Sequence, residues 1–465
     1  MAENDAQNSP GADRTDERGR IALVLGGGAP TLTLQAGALQ ALDELGVEFD
    51  VISTSGAGML VGLLYAAPRG MSRQEALKHT VNLGVHDAIY NVFPINYKVF
   101  CKPGPLAAFY RQCTLPFIRL LPDATNEQRF FKDLMLFWNA AWSPSGMTRD
   151  SLGMCEAAPW LEDVVDFDAL KKNESIDFYI NSWNIREQRM RIFDKDTITA
   201  SHFRAALAFP LIYPPFELDG DFYIEGSAMD TLNLGGLLQF DKIYDDCYKA
   251  ALEEEIDERW ATILPLHEAR KDAAVREVVL KAKAEAHERA LQASSRRDAV
   301  HNAKGVGAAK LKTMRQVPFV RTILDARRGI DKKIDSIDKI ILFDVLGTDA
   351  LVRRPRNLYD AWVMQMIVPL VSVANHDLES FRDKYDRKRS EPQRFIHQIH
   401  FDKQIMHDHW SNVLDWSYSN LDMLFKAGQR AGRAFYADKP WLHDAAKAVL
   451  ERRKGGSSAT GSPKP

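Results

Sequence analysis

FDVISTSGAGMLVGLLYAAP, Phe49 to Pro68, is the stretch that decides the fold. Phe49 to Ile52 is a short β-prone run, Ser53 to Gly58 contains only small residues, and Met59 to Ala67 is apolar up to Pro68. The Ser and Gly cluster breaks the stretch into a strand, a tight turn and a buried helix, and the proline stops that helix. Upstream, Ile21 to Leu25 is a second β-run that ends in Gly26-Gly27-Gly28. Leu34, Ala38, Leu39, Leu42 and Leu45 then recur at helical spacing, with Gly46 where a helix C-cap belongs. A β-α-β-α opening predicts a mostly parallel sheet with helices on its faces, an α/β fold.

Downstream the rhythm changes. Residues 90–165 are rich in aromatics and proline (NVFPINYKVF, CTLPFIRLLP, RFFKDLMLFWNAAW) and do not repeat the β-α unit. Such clusters read either as core or as a cap over an apolar pocket. Strand signals return at Asp177 to Asn181 and Met190 to Phe193, and Asp219-Gly220 sits as a turn between two β-prone runs. Residues 246–335 are rich in Ala, Glu, Lys and Arg and read as solvated helices. Lys339 to Val345 is again a buried strand, which makes 246–335 an insertion within one sheet. The expected organisation is a polar tail at 1–19 and an α/β core at 20–245, with the aromatic segment inside it. The insertion at 246–335 follows, then a last core strand and helix at 336–375, C-terminal helices at 376–450 and a tail at 451–465.

Composition excludes several classes. The chain has 465 residues, is 45% apolar and 26% charged, and carries a net charge of −3. That balance suits a globular protein and gives no global drive toward nucleic acid. Four separated cysteines, Cys101, Cys113, Cys155 and Cys247, form neither a disulfide framework nor a C-x-x-C metal site. The first residues are polar and acidic, without the apolar core of a secretory signal, so the expectation is a cytoplasmic protein, with peripheral attachment to lipid the open alternative. His397, His400, His407 and His409 cluster in sequence, but their spacing does not put all four on one helical face. No metal is expected there. Nothing in the sequence sets an oligomeric state.

Three segments carry chemistry: Gly26-Gly27-Gly28, STSGAG (Ser53 to Gly58) and FYIEGSAMDTLNL (Phe222 to Leu234). A dinucleotide-binding loop is excluded, because the third Gly of G-x-G-x-x-G is missing and no acidic residue suitably ends the second strand. In their order, the three segments resemble the patatin-like phospholipase family, over roughly residues 20–240 plus 336–350. In that family a glycine-rich loop donates backbone N–H groups to an oxyanion, a G-x-S-x-G elbow presents a nucleophilic serine, and the aspartate of a D-G-G or D-G-A motif is its base. The resemblance implies a lipid acyl hydrolase with a Ser-acid dyad, no cofactor, and a lipid or acyl-ester substrate.

The motifs differ from the family pattern. A gapless alignment puts Thr54 at the first elbow Gly and Gly56 at the nucleophile, while Ala57 and Gly58 match. A one-residue slip would instead put Ser55 at the apex, with Ser53 and Ala57 as its small neighbours. Pro30 and Thr31 replace the basic residue and Gly after the glycine triplet, and a proline has no N–H to give. Glu225 stands at the aspartate, followed by Gly226 and Ser227. The candidate set is therefore Ser55 as nucleophile, Glu225 as base, Gly26, Gly27 and Gly28 as oxyanion donors, and Thr54, Gly56 and Gly58 as elbow. The neighbouring Asp219, Asp221 and Asp230 are expected as turn and loop caps. The alternative reading is a catalytically silent relative that binds lipid or a protein partner. Residues 301–335 are locally basic around Val317-Pro318-Phe319-Val320 and are the candidate for peripheral membrane contact, or else a solvated arm.

Overall fold

The computed structural model describes residues 20–28, 31–156, 158–237, 337–345, 358–385, 396–401 and 415–457. The tail expected at 1–19, the insertion at 246–335 and its basic stretch at 301–335 lie outside the described residues. The strands are β1 (Arg20–Leu25), β2 (Val51–Thr54), β3 (Asp177–Asn184), β4 (Arg189–Asp194), β5 (Phe216–Leu218), β6 (Asp221–Glu225), β7 (Ile337–Asp344) and β8 (Ile396–His400). The helices begin with α1 (Leu32–Glu44), α2 (Gly58–Ala66), α3 (Arg73–His79), α4 (Asp87–Tyr90), α5 (Pro105–Arg119) and α6 (Asn126–Trp142). They continue with α7 (Leu161–Val164), α8 (Phe167–Lys171), α9 (Ala200–Ala206), α10 (Leu358–Tyr385), α11 (Tyr418–Ala437) and α12 (Pro440–Ser457).

The strands form one mixed, mostly parallel sheet in the order β5-β6-β3-β2-β1-β7-β8, with β4 paired to β3. The β-α-β-α opening is present as read from the sequence. Ile21 to Leu25 are fully buried because β1 lies inside the sheet and is flanked in parallel by β2 and β7. Gly46 has φ +85 and closes α1, and α2 ends just before Pro68. The β5-β6 hairpin turns through Asp219 (φ +52) and Gly220 (φ +81), the two left-handed positions of a tight hairpin.

Register explains how distant segments meet. β2 pairs β3 from Asp177 to Ile180, and Thr54 is its last partner. β4 pairs β3 from Tyr179 to Asn184 and so occupies the other edge. Antiparallel β6 therefore takes the edge that β2 vacates, with Glu225 opposite Ser182. The ends of β2 and β6 face each other along one edge of β3.

Two expectations need correction. His397 and His400 lie on β8, parallel to β7, in a region read as wholly helical. Ile396 and Ile399 are three residues apart, a spacing without strand alternation, in a run too short to separate strand from helix. Of the other two histidines nothing is described, and among the described residues no group of His, Cys, Asp or Glu is arranged to hold a metal. α12 also runs to Ser457, into the stretch expected as tail. The aromatic segment divides: Tyr97, Phe100 and Phe137 pack on the core. Leu106, Phe109, Phe117 and Leu120 on and just after α5, with Phe131, Trp138 and Trp142 on α6, are exposed. Among the described residues, no helix is long and apolar enough to cross a membrane.

Candidate active site

The turn from β2 to α2 places Gly56 at its apex. Gly56 has φ +49, a left-handed conformation that strains any residue with a Cβ. Gly58 follows two residues later because a Cβ there would sit 2.6 Å from the Leu25 carbonyl oxygen. Thr54 occupies the position two before the apex. Its hydroxyl donates to the Tyr179 carbonyl (3.1 Å), and its methyl fills space left by Gly62, where a Cβ would approach to 2.8 Å. A larger residue before the apex is thus accommodated by a missing side chain one turn into α2.

Ser55 turns away from the apex. Its hydroxyl donates to the Asp230 carbonyl (2.8 Å) and its N–H to the Leu25 carbonyl (3.0 Å). This corrects the slipped alignment: β2 keeps its register with β1 and β3 through Thr54, so the left-handed corner falls on residue 56. Ser55 instead belongs to a set of bonds that tie the loop after β6 to the elbow. Asn233 Nδ2 donates to the Thr54 carbonyl (3.0 Å), Ser53 donates to the Asn233 carbonyl (2.6 Å), and Asn181 Nδ2 donates to the Asp230 carbonyl (2.9 Å). Asn233 itself adopts φ +47, which asparagine tolerates better than most residues.

That tie delivers Glu225 to the apex. A Cβ built on Gly56 would overlap the Glu225 carboxylate oxygen and lie 2.8 Å from Ser227 Oγ. The Ser227 hydroxyl in turn donates to Glu225 Oε1. Both residues are buried. Burial disfavours the charged carboxylate and pushes its pKa up to about 7, against the opposing hydrogen bond from Ser227. Asp230, partly buried, is pushed up to about 7 by desolvation of its carboxylate and then by the nearby Asp377. Its Oδ1 accepts from Asn233 N–H (2.7 Å), the loop-capping role expected of it.

The glycine triplet contributes differently from expectation. Gly26 N–H is bonded to the Phe343 carbonyl (3.2 Å) and Gly27 N–H to the Thr231 carbonyl (2.9 Å). Neither is available to an oxyanion, which corrects their role as donors; bonding to β7 and to the 226–233 loop consumes them. Gly28, at φ +141, donates to no described residue. The same holds for Ala57 N–H, the group after the apex and a usual oxyanion donor in such elbows. Gly27 has a packing reason to lack a side chain, since a Cβ there would lie 2.8 Å from Ser227 Cβ and 3.2 Å from its Oγ.

The structure thus joins Gly56, Glu225, Ser227 and the glycine loop, and separates Ser55 from them. Sequence reasoning passed over Ser227 as a mere neighbour of Glu225. The available signal was reciprocal: the elbow has glycine where the family has serine, and the acidic motif has serine where the family has glycine or alanine.

Residues 23–238 match the sequence profile of the family described as patatin-like phospholipase. Among curated proteins, the Lysophospholipase NTE1 of Saccharomyces cerevisiae is 25% identical over 212 residues, 46% of this chain and 10% of that protein. The Lysophospholipase NTE1 of Candida glabrata is 24% identical over 212 residues, 46% of this chain and 9% of that protein. The matched segment therefore spans about a tenth of those relatives. Among solved structures, VipD from Legionella pneumophila covers 45% of this chain and 46% of its own, at 14% identity and a TM-score of 0.24, too low to bear on the argument.

Proposed function

We propose that the patatin-like phospholipase domain of residues 23–238 hydrolyses acyl esters of lipids, as part of lipid metabolism. The observation that carries this reading is the buried Glu225 carboxylate, held against the left-handed apex of a strand-turn-helix elbow. Burying a carboxylate costs free energy, and a buried acid with a raised pKa beside a strained turn is the pattern of a functional site. A base whose pKa lies near 7 is suited to take a proton from a hydroxyl at neutral pH. The N–H groups of Gly28 and Ala57, uncommitted among the described residues, supply the oxyanion donors, each worth roughly 3 kcal/mol in comparable sites. The exposed apolar residues of α5 and α6 offer a surface to acyl chains and support a lipid rather than a water-soluble ester.

The test is hydrolysis of a lysophospholipid and of a short p-nitrophenyl ester by the full chain, beside Glu225→Gln. Turnover is expected in the wild type, falling roughly a hundred-fold or more in the variant. The wild-type rate should rise with pH to a plateau, half-maximal near pH 7, because only the ionised carboxylate accepts a proton. The second reading, a silent lipid binder, rests on the missing hydroxyl at Gly56. It is selected if neither substrate is turned over and no fluorophosphonate label is taken up while a control serine hydrolase reacts.

A further inference from the structure

We propose that Ser227, on the loop that follows β6, is the nucleophile of this site, with Glu225 as its base. The proposal rests on the hydrolase reading above and names the group that carries it out. Four observations converge. The Ser227 hydroxyl donates directly to Glu225 Oε1, which is the contact a base needs before it can remove the proton. The same oxygen lies 2.8 Å from where a Cβ on Gly56 would stand, so it fills the space an elbow side chain would enter. It also lies 3.2 Å from where a Cβ on Gly27 would stand, so the glycine loop arches over it. Gly28 and its N–H follow directly in sequence. Ser227 is held firmly from behind, since Thr231 Oγ1 donates to its carbonyl (3.0 Å) and Gly226 fits against Asn181, where a Cβ would come within 2.5 Å of Oδ1.

The hydroxyl thus stands on a different residue from the one the family pattern uses. Here the elbow apex carries no side chain, the residue two after the acid carries a hydroxyl, and its oxygen lies between Glu225, Gly56 and the glycine loop. The longer glutamate fits this arrangement, because the acid and the serine now sit two residues apart on one turn.

In the reaction, Ser227 Oγ attacks the ester carbonyl carbon as its proton passes to the Glu225 carboxylate. The tetrahedral oxyanion faces Gly28 and Ala57 N–H. Collapse breaks the acyl C–O bond, and the leaving alkoxide takes the proton from Glu225 and departs as the alcohol. Water then attacks the acyl-serine and gives a proton to Glu225. The second collapse frees the carboxylic acid and returns that proton to Ser227.

The experiment is fluorophosphonate labelling of the full chain with the adduct mapped by mass spectrometry, run beside ester hydrolysis for wild type, Ser227→Ala and Ser227→Cys. The expected result is an adduct on Ser227 and loss of hydrolysis in Ser227→Ala by roughly a thousand-fold or more. Ser227→Cys replaces the hydroxyl by a slightly larger thiol, a weaker donor but a stronger nucleophile; it should lose fluorophosphonate uptake and gain iodoacetamide alkylation at position 227. A structural role for the hydroxyl would change melting temperature without moving the adduct. Hydrolysis with the adduct on another serine, or undiminished in Ser227→Ala, overturns the assignment and leaves the hydrolase reading standing. Neither hydrolysis nor adduct in the wild type, with a reactive control enzyme, overturns both.

Discussion

Glu225 shows how a single side chain sets a conflict between stability and chemistry. Its pKa is raised from the ordinary 4.5 to about 7, because burial penalises its charged form. A group raised in this way favours the folded state fully below its unfolded pKa, and that contribution is lost as pH climbs through the folded value. Between about pH 5 and 8 the wild type should lose up to roughly 3 kcal/mol from this residue alone. Glu225→Gln keeps the shape and removes the titration. Its melting temperature should match the wild type near pH 5 and exceed it near pH 8, while hydrolysis is lost. A variant equally stable at both pH values relative to wild type would mean that Glu225 is solvated in solution. Asp230, also raised to about 7, titrates in both proteins and cancels in the comparison. At this scale the sequence marked residues 225 and 56 as altered, but it could not say which atoms had taken their place.

The pairing of α1 with α11 illustrates what two elements require of each other. The helices approach so closely that a Cβ on Gly428 would fall onto the Leu34 carbonyl oxygen, and one on Gly37 onto the Phe425 carbonyl oxygen. A Cβ on Gly432 would come within 2.7 Å of the Ala38 carbonyl oxygen. Backbone cannot yield as a flexible side-chain end can, so any larger residue must push the helices apart. Gly428→Val should cost about 3 kcal/mol or more in chemical denaturation. Arg430→Val, on the exposed side of the same helix, should change stability by less than about 1 kcal/mol. Equal effects would mean that α11 does not dock on α1 as described. Gly37 was visible in the sequence as part of a helix; that it faces another backbone was not.

At the scale of the molecule, the lipid-hydrolase reading predicts contact with a lipid surface. Two features could supply it: the exposed apolar residues of α5 and α6, and the basic stretch 301–335 read from the sequence. They separate by salt. Electrostatic attraction to anionic vesicles should fade between about 0.05 M and 0.5 M salt, whereas apolar insertion persists. Co-sedimentation is expected to survive high salt and to fall several-fold in a Phe117→Ser/Trp142→Ser variant that melts like the wild type. Binding that vanishes with salt and ignores these substitutions would assign the contact to the basic stretch. The sequence by itself determined the β-α-β-α opening, the hairpin at Asp219-Gly220 and the family resemblance, because hydrophobic periodicity and turn residues act locally. It also exposed the altered motifs, since each is a short run read in place. The tertiary structure alone decided that Gly56 rather than Ser55 occupies the apex, a matter of strand register across β1, β2 and β3. It decided likewise that Gly26 and Gly27 spend their N–H groups on neighbouring carbonyls. The meeting of Ser227, Glu225 and Gly56 follows from β2 and β6 ending head to head on one edge of β3, a juxtaposition of residues some 170 positions apart that no local pattern encodes.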